Sequence, residues 1–466
     1  MFAVQQGIQT TAHNIANVNT EGYSRQRQIL GAAQPFPIRN GFLGTGVEQI
    51  SVDRITDEFV LKQLVAQNSS FAATDTQAQA LRQIEEVLNE QEVGGISAAL
   101  NDLYDAFSDL SSAAEPGAPV EREAVRASAQ SLIDAFQRAD GQLRQMQRDA
   151  DGGIQSTIAE INHLASQIAE LNVEIGLEAG RGPANDLMDE RDRLLRELGS
   201  KIDISTVDTA NSQVMVFLAG GFPLVDGNSA RTLEAQVDPT NPFDPSFSLV
   251  IFNDGSATTD ITNDIGGGQL GGLLRVRDTI LPAAIRSLDT IAYNLVDSVN
   301  TVHAAGTGLD GTVGDFFQAT GQVEDAARDL ALDANIAAST DAIAAGLTTD
   351  PGDNENASNL AALRNTAAAL FLPGDPPGPA TGPARTLLEH TSFVIADIGQ
   401  QTRDMQFASA REGQILEVLE NRRDEASGVS LDEEATNLIR LQAAFQANAR
   451  VVSVVDRLLQ DLVSII

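Results

Sequence analysis

The sequence predicts a mainly α protein with a small antiparallel β domain inserted, an elongated coiled-coil or helix-bundle rod built from the N- and C-terminal segments. Three observations predict it. Apolar residues recur three and four apart near both chain ends, and one helical pattern runs unusually far between them, over residues 121–178. The stretch 202–262 then switches to short alternating runs broken by Asn, Gly, Asp and Pro. At 466 residues the chain exceeds one small core, so several domains are expected. The division expected is an N-terminal helix and loop of an inner domain (1–56), the first part of a helical rod (57–201), an inserted β domain (202–265), the second part of the rod (266–429, with an irregular segment 304–356), and a C-terminal coiled-coil helix of the inner domain (430–466).

The N-terminal helix is read from Val4, Ile8, Thr11, Ile15 and Val18, which share one face, and it stops at the polar Asn19-Thr20-Glu21-Gly22-Tyr23. A second seam runs Val60, Leu64, Gln67, Phe71, Thr74, Ala78, Leu81, Glu85, Leu88 up to Gly94-Gly95. A shorter helix over 96–112 ends before Pro116-Gly117. The long pattern 121–178 lapses between Met146 and Ile154, and Gly152-Gly153 there makes a phase shift or bend least costly. If continuous it spans ~85 Å, which a compact globule cannot contain.

A helix over 185–198 precedes five short strands, 202–207, 213–218, 222–225, 231–237 and 247–252. Gly266-Gly267-Gly268 returns the chain to a helix over 270–303. Another is expected over 357–371, before the proline-rich loop from Pro373 to Pro379, and the last rod helix over 384–426, closed by Gly428. Ser430 with Glu433 reads as a capping box opening the C-terminal helix. That helix carries a heptad seam, Leu438, Leu441, Phe445, Asn448, Val452, Val455, Leu459, Leu462 and Ile466, with one polar member. At ~40 Å its stripe cannot be satisfied within itself, and the N-terminal face is the natural partner.

Composition narrows the function. The formal net charge of -35 repels nucleic-acid phosphates and anionic lipid surfaces, so neither is an expected partner. No run approaches the ~18 apolar residues of a membrane span. Residues 1–9 lack the basic and apolar regions of a secretory signal. Without cysteine there are no disulfides, thiolate metal sites or thiol nucleophiles. His13, His163, His303 and His390 are isolated and read as structural or surface residues; no catalytic, cofactor or metal residue is expected. The acidic Asp432-Glu433-Glu434 suits a helix N-terminus, and the glycines of Gly266 to Gly272 lack the Lys-Ser or Lys-Thr of a phosphate loop and read as a turn. An enzyme in the β domain therefore has no anchoring residues.

Two segments at opposite ends carry a family resemblance. Thr11-Ala12-His13-Asn14-Ile15-Ala16-Asn17-Val18-Asn19-Thr20-Glu21-Gly22-Tyr23-Ser24-Arg25-Gln26 resembles the N-terminal signature of the flagellar rod, hook and hook-associated axial proteins. Val429-Ser430-Leu431-Asp432-Glu433-Glu434, continuing through Asn437 to Arg450, resembles its C-terminal counterpart. Within the family, 23–26, 185–192, 267–273, 352–354 and 356–357 are similar to the hook-associated members at the hook-filament junction. The family's helix before Asn14-Ile15-Ala16-Asn17 is usually longer than the stretch from Met1 here.

The resemblance implies paired terminal helices forming an inner domain, a helical rod domain and an outer β domain. It also implies an extracellular flagellar location, reached by type III export without a cleaved signal. Its function would be to join hook to filament as a structural subunit; another hook or rod component, or a non-flagellar coiled-coil adhesin or scaffold, are the alternatives. Implied partners are further copies of itself, hook protein, neighbouring hook-associated and filament proteins, and an export chaperone at the C-terminal helix. Expected subunit-interface residues are Ile8, Ile15, Val18, Leu438, Leu441, Phe445, Asn448, Val452, Val455, Leu459, Leu462 and Ile466. The expected motif residues are Asn14, Asn17, Asn19, Thr20, Gly22 and Tyr23.

Overall fold

A computed structural model of the chain describes residues 1–39, 41–88, 95–114, 117–178, 180, 182–209, 212–375 and 380–465. Helix α1 (Phe2–Ala16) opens the chain. Four strands follow, β1 (Gln26–Ala32), β2 (Phe36–Ile38), β3 (Gly41–Leu43) and β4 (Val47–Arg54). β1 pairs antiparallel with β4 and β2 with β3, so the segment is a nested hairpin. The loop expected within residues 1–56 therefore contains four strands. The tip strands β2 and β3 are exposed at every position, so no one-sided apolar alternation marks them in the sequence.

The helical body begins with α2 (Glu58–Leu88), α3 (Ile96–Ser111), α4 (Pro119–Glu178) and α5 (Asn185–Lys201). Helix α4 has 60 residues, about 90 Å at the α-helical rise. It does not break at Gly152-Gly153. Gln147, Ala150, Asp151 and Ile154 keep the buried stripe in phase, with polar side chains where apolar ones were sought. Gly153 instead lets Leu273 approach, since a Cβ there would lie 3.2 Å from a Leu273 methyl. Asp151 accepts from Ser248 N at 2.9 Å and from Arg277 at 2.6 Å, and Gln147 donates to the Arg277 carbonyl at 2.8 Å. These polar links divide two apolar cores, one along the first half of α4 and one along the second.

The second core draws on β5 (Ile204–Asp208), β6 (Val214–Leu218), β7 (Pro223–Asp226), β8 (Ser229–Ala230), β9 (Thr232–Val237) and β10 (Ser248–Asn253), while β11 (Thr258–Asp260) is an exposed strand at the sheet edge. They form two antiparallel sheets, β5-β6-β7-β8 and β9-β10-β11. Helix α6 (Gly268–Arg275) follows and runs through a π-helical turn, Val276–Ile280, into α7 (Leu281–His303). The glycines of 266–272 are packing glycines, not a ligand cradle: a Cβ at Gly268 would lie 2.4 Å from Ile202 N, and one at Gly272 2.9 Å from the Ala73 carbonyl. The amides of Gly266 and Gly267 face the chain's own Asp203 carboxylate.

Residues 304–356, which contain the single turn α8 (Ala334–Ala338), are folded onto the first core by Phe316, Phe317, Leu330, Ile336 and Ile343, all fully buried. Helix α9 (Glu355–Ala362) stops short of the expected 371. Asn294 accepts from Phe371 N and donates to Phe371 O, holding that backbone extended beside the hairpin β12 (Ala368–Ala369) and β13 (Ala384–Arg385). Helix α10 (Leu387–Ser427) runs antiparallel along α2, with Thr402 donating to Leu81 O, Ser409 to Asp75, and Gln67 to Glu412. Helix α11 (Leu431–Ile465) ends the described chain.

Candidate assembly interface

The two chain ends meet. Gly7 of α1 faces Leu441, where a Cβ would lie 3.3 Å from both Leu441 methyls, and Asn14 reaches Glu434. Numbers fall along α1 as they rise along α11, so the pair is antiparallel. The buried face of α1 is Ala3, Gly7, Thr11 and Asn14, and its small residues allow close approach on both sides: α11 on one, and on the other β1, whose Gln28 donates to the Ala3 carbonyl at 2.9 Å. The larger Ile8, Ile15 and Val18 flank that face and are half-buried. Sequence periodicity located the stripe one position away from its centre because it weighted large side chains over Ala and Gly.

On α11, Leu438, Leu441 and Phe445 are half-buried against α1, and Asn448 is exposed. Beyond it α1 has ended. Val452, Val455, Leu459 and Leu462 stand 47–59% exposed with no partner among the described residues; Ile466 lies outside those residues. Phe36, Ile38, Phe42 and Leu43 on the β2–β3 hairpin are likewise exposed.

Below the helix pair a hydrogen-bonded knot ties the ends to the rod. Asn14, 1% exposed, donates to the Gln26 carbonyl (2.9 Å) and to Glu434 Oε2 (3.2 Å). Its Oδ1 accepts from Tyr23 O–H (2.8 Å) and Gln26 N–H (3.0 Å). Tyr23 also meets His13 Nδ1 at 3.0 Å, and burial, with Asp186, Asp189 and Glu434 nearby, raises the phenol's pKa so that it stays a donor. Arg25 bridges Glu433 and Glu434, each at 2.7 Å, and its amide donates to the Ser427 carbonyl.

Asn17 donates to the His13 carbonyl and accepts from Thr20; Asn19 and Thr20 are exposed, and Gly22 turns the chain at φ +83°. The Glu433 carboxylate thus goes to Arg25. Ser430 Oγ receives the Glu433 amide only at 3.4 Å, and the expected capping box does not close.

Helix α5 anchors the knot to the rod. Asp189 accepts from Ser24 N (2.8 Å) and Arg54 (3.0 Å), Asp186 accepts from Gln26, and Asn185 donates to the Val52 carbonyl. Burial works against the charge on Arg54, but Asp192 and Asp189 outweigh it and hold the guanidinium above its ordinary pKa. Sequence reasoning quoted 185–192 only as a resemblance and did not pair it with the N-terminal motif, because no local pattern signals a contact across 165 residues. Among the described residues no cluster of three or more His, Asp or Glu is placed to hold a metal, and no helix is long and apolar enough to cross a membrane.

Comparison with known proteins is consistent along the chain. Residues 81–347 match the family described as the flagellar hook-associated protein FlgK helical domain, and residues 421–465 the family described as the flagellar basal body rod FlgEFG protein C-terminal. Flagellar hook-associated protein 1 of Bacillus subtilis (strain 168) is 30% identical over 500 residues, spanning 100% of this chain and 96% of that protein. Its Escherichia coli (strain K12) namesake is 27% identical over 542 residues, spanning 99% and 97%. In fold, the flagellar hook junction protein FlgK from Burkholderia pseudomallei is similar with TM-score 0.67 at 16% identity, covering 78% of this chain and 100% of that one.

Proposed function

The chain belongs to the flagellar hook-associated protein FlgK family, and from that premise we propose that it is a structural subunit of the bacterial flagellum that joins the hook to the filament. The observation that carries this reading is the outer half of α11, an apolar seam that no described residue of the chain covers. Burying the exposed halves of Val452, Val455, Leu459 and Leu462 would contribute on the order of 3–6 kcal/mol before the cost of association. Neighbouring copies supply that cover, with hook and filament proteins above and below. Ile8, Ile15, Val18 and the half-buried Leu438, Leu441 and Phe445 form the inner seam, and Asn448 its polar register point.

In this reading residues 1–56 and 430–466 form the inner domain, 57–201 and 266–429 the rod, and 202–265 the outer domain. The role proposed is structural and not enzymatic; the buried Arg277–Asp151 pair serves packing between two cores. It is exported without a cleaved signal to an extracellular position, an export chaperone covering α11 on the way. The match of 421–465 to the family described as the flagellar basal body rod FlgEFG protein C-terminal is what keeps a hook or rod component as the alternative.

Deleting residues 437–466 in the native organism distinguishes the two. The junction reading expects intact hooks that carry no filaments in electron micrographs. Loss of the hooks themselves would assign the chain to the rod or hook, and normal filaments would remove it from the axial structure.

A further inference from the structure

Between α7 and α10, above α2, lies a cleft of about 340 Å³. Its floor is apolar, from Leu81 and Ile84 of α2 to Val394 of α10, and the exposed Phe393 ring stands at its mouth. His390 forms part of the wall. It is 9% exposed, and neither ring nitrogen has a hydrogen-bond partner among the described residues. The other buried histidine, His303, has both nitrogens bonded, so an unanswered imidazole is not how this chain builds its core.

The charges around the cleft depart from those of the chain, which has 65 Asp and Glu against 30 Lys and Arg. The Arg385 guanidinium lies 4.2 Å above the Phe393 ring, and burial of His390, with Arg385 beside it, lowers the imidazole pKa. Arg286 lines the cleft, and neither arginine forms an ion pair with a described residue. The one acid on the cleft, Asp397, accepts from Gln401 at 2.7 Å. An apolar trough rimmed by two such cations fits a ridge that carries apolar side chains beside carboxylates.

The same chain presents such a ridge. Glu170, Val173, Glu174 and Leu177 share one face of the far end of α4 and are all exposed, Leu177 to 75%. Neither glutamate has an ion-pair or hydrogen-bond partner among the described residues. Cleft and ridge cannot meet within one copy. Gln147 of α4 bonds the turn that opens α7 beside the cleft, and Val173 lies about 40 Å further along the same helix.

We propose that the α4 ridge of one copy seats in the α7–α10 cleft of the next, Val173 and Leu177 against Phe393 and the two glutamates against Arg286 and Arg385. The contact rests on the assembly reading above and names one of its interfaces. Because cleft and ridge are different surfaces, it is head-to-tail: each joined pair keeps one free cleft and one free ridge, and further copies can add. The rim charges fix orientation and exclude wrong registers more than they add affinity. A carboxylate at the cleft also places negative charge beside His390, whose neighbouring charge in the free chain is the Arg385 cation.

The test is cross-linking within flagella. The chain has no cysteine, so Gln401→Cys on the cleft and Glu170→Cys on the ridge, both at exposed positions, supply its only thiols to a short bismaleimide. The double variant should give covalent dimers and longer ladders of this chain, and each single variant should stay monomeric. Adding Arg286→Glu should lower the ladder yield about tenfold, and Glu174→Arg should restore part of it, with thermal unfolding of the purified variants showing that the subunit still folds. No ladder from the double variant, dimers of equal yield from a single variant, or a yield unmoved by Arg286→Glu overturns the proposal. Ladders from a chain found in the hook or rod keep the contact and remove the junction reading. A chain at the junction that gives no ladder removes the contact alone.

Discussion

Replacing Asn14 with alanine removes one side chain that serves three segments at once, the Gln26 backbone, Tyr23 and Glu434. Stranding their buried partners should cost about 2–4 kcal/mol. Urea unfolding followed at the inner end should read that loss, while Asn19→Ala, at an exposed position, should be close to neutral. His303 gives a pH test. Its Nδ1–H donates to the Gly314 carbonyl at 2.7 Å and its Nε2 accepts from the Ala344 amide at 2.9 Å, so the ring is held neutral. Burial lowers its pKa below the ordinary histidine value. Its contribution is therefore complete above about pH 6.5 and is lost as pH falls through the lowered value. Wild type should be more stable than His303→Gln at pH 7, and the difference should shrink toward pH 5; a constant difference would mean the ring is not linked to folding. The segment carrying Asn14, Tyr23 and Ser24 stood out in the sequence, but the contacts of Ser24 with Asp189 and of Asn14 with Glu434 did not, since each closes a long loop without local periodicity.

Helices α2 and α5 touch through Gly199, where a Cβ would lie 2.9 Å from the Val65 carbonyl, an atom that cannot rotate away. Gly199→Ala gains about 1 kcal/mol of helix propensity. It loses about 1–3 kcal/mol to overpacking, so the net should be destabilising. Gly152→Ala, on the exposed side of α4 with nothing within 4 Å, should stabilise by about 0.5–1 kcal/mol. Thermal unfolding of the two variants reads opposite signs if α4 is continuous. If Gly152 instead marks a bend, its substitution would also destabilise.

The long helices were legible because apolar residues repeat along α2, α4 and α11, as were the strands β6 and β10, whose apolar runs are bounded by turn residues. The hairpin β1–β4 was not, having no dry face to imprint alternation. Segment 304–356 was missed for another reason: it is held by scattered anchors such as Phe316, Phe317 and Ile343, which follow no period. Helix α9 ends at Ala362 and a 3-10 turn, Leu363–Asn365, follows, while Asn294 binds the Phe371 backbone at the far end of the stretch expected to be helical, a tertiary contact that sequence periodicity does not show.

At the scale of the molecule, the chain is a long helical body whose first and last segments close on each other, then leave the outer half of α11 uncovered. The two cores along α4 are joined through Arg277, 1% exposed in its side chain, and Asp151. Arg277→Ala would leave a buried carboxylate unpaired and should cost ~3–5 kcal/mol. That loss should appear as separate unfolding of the sheets and the first core in calorimetry, whereas a single unshifted transition would refute the coupling. The central claim, however, concerns the ends. Hydrogen exchange of α11, measured on free subunits and on subunits within assembled flagella, tests it most directly. In the free chain residues 431–449 should be protected by α1 and residues 450–465 should exchange rapidly; in flagella both halves should be protected. Rapid exchange of 450–465 in the assembled structure, or equal protection of both halves in the free chain, would contradict the account.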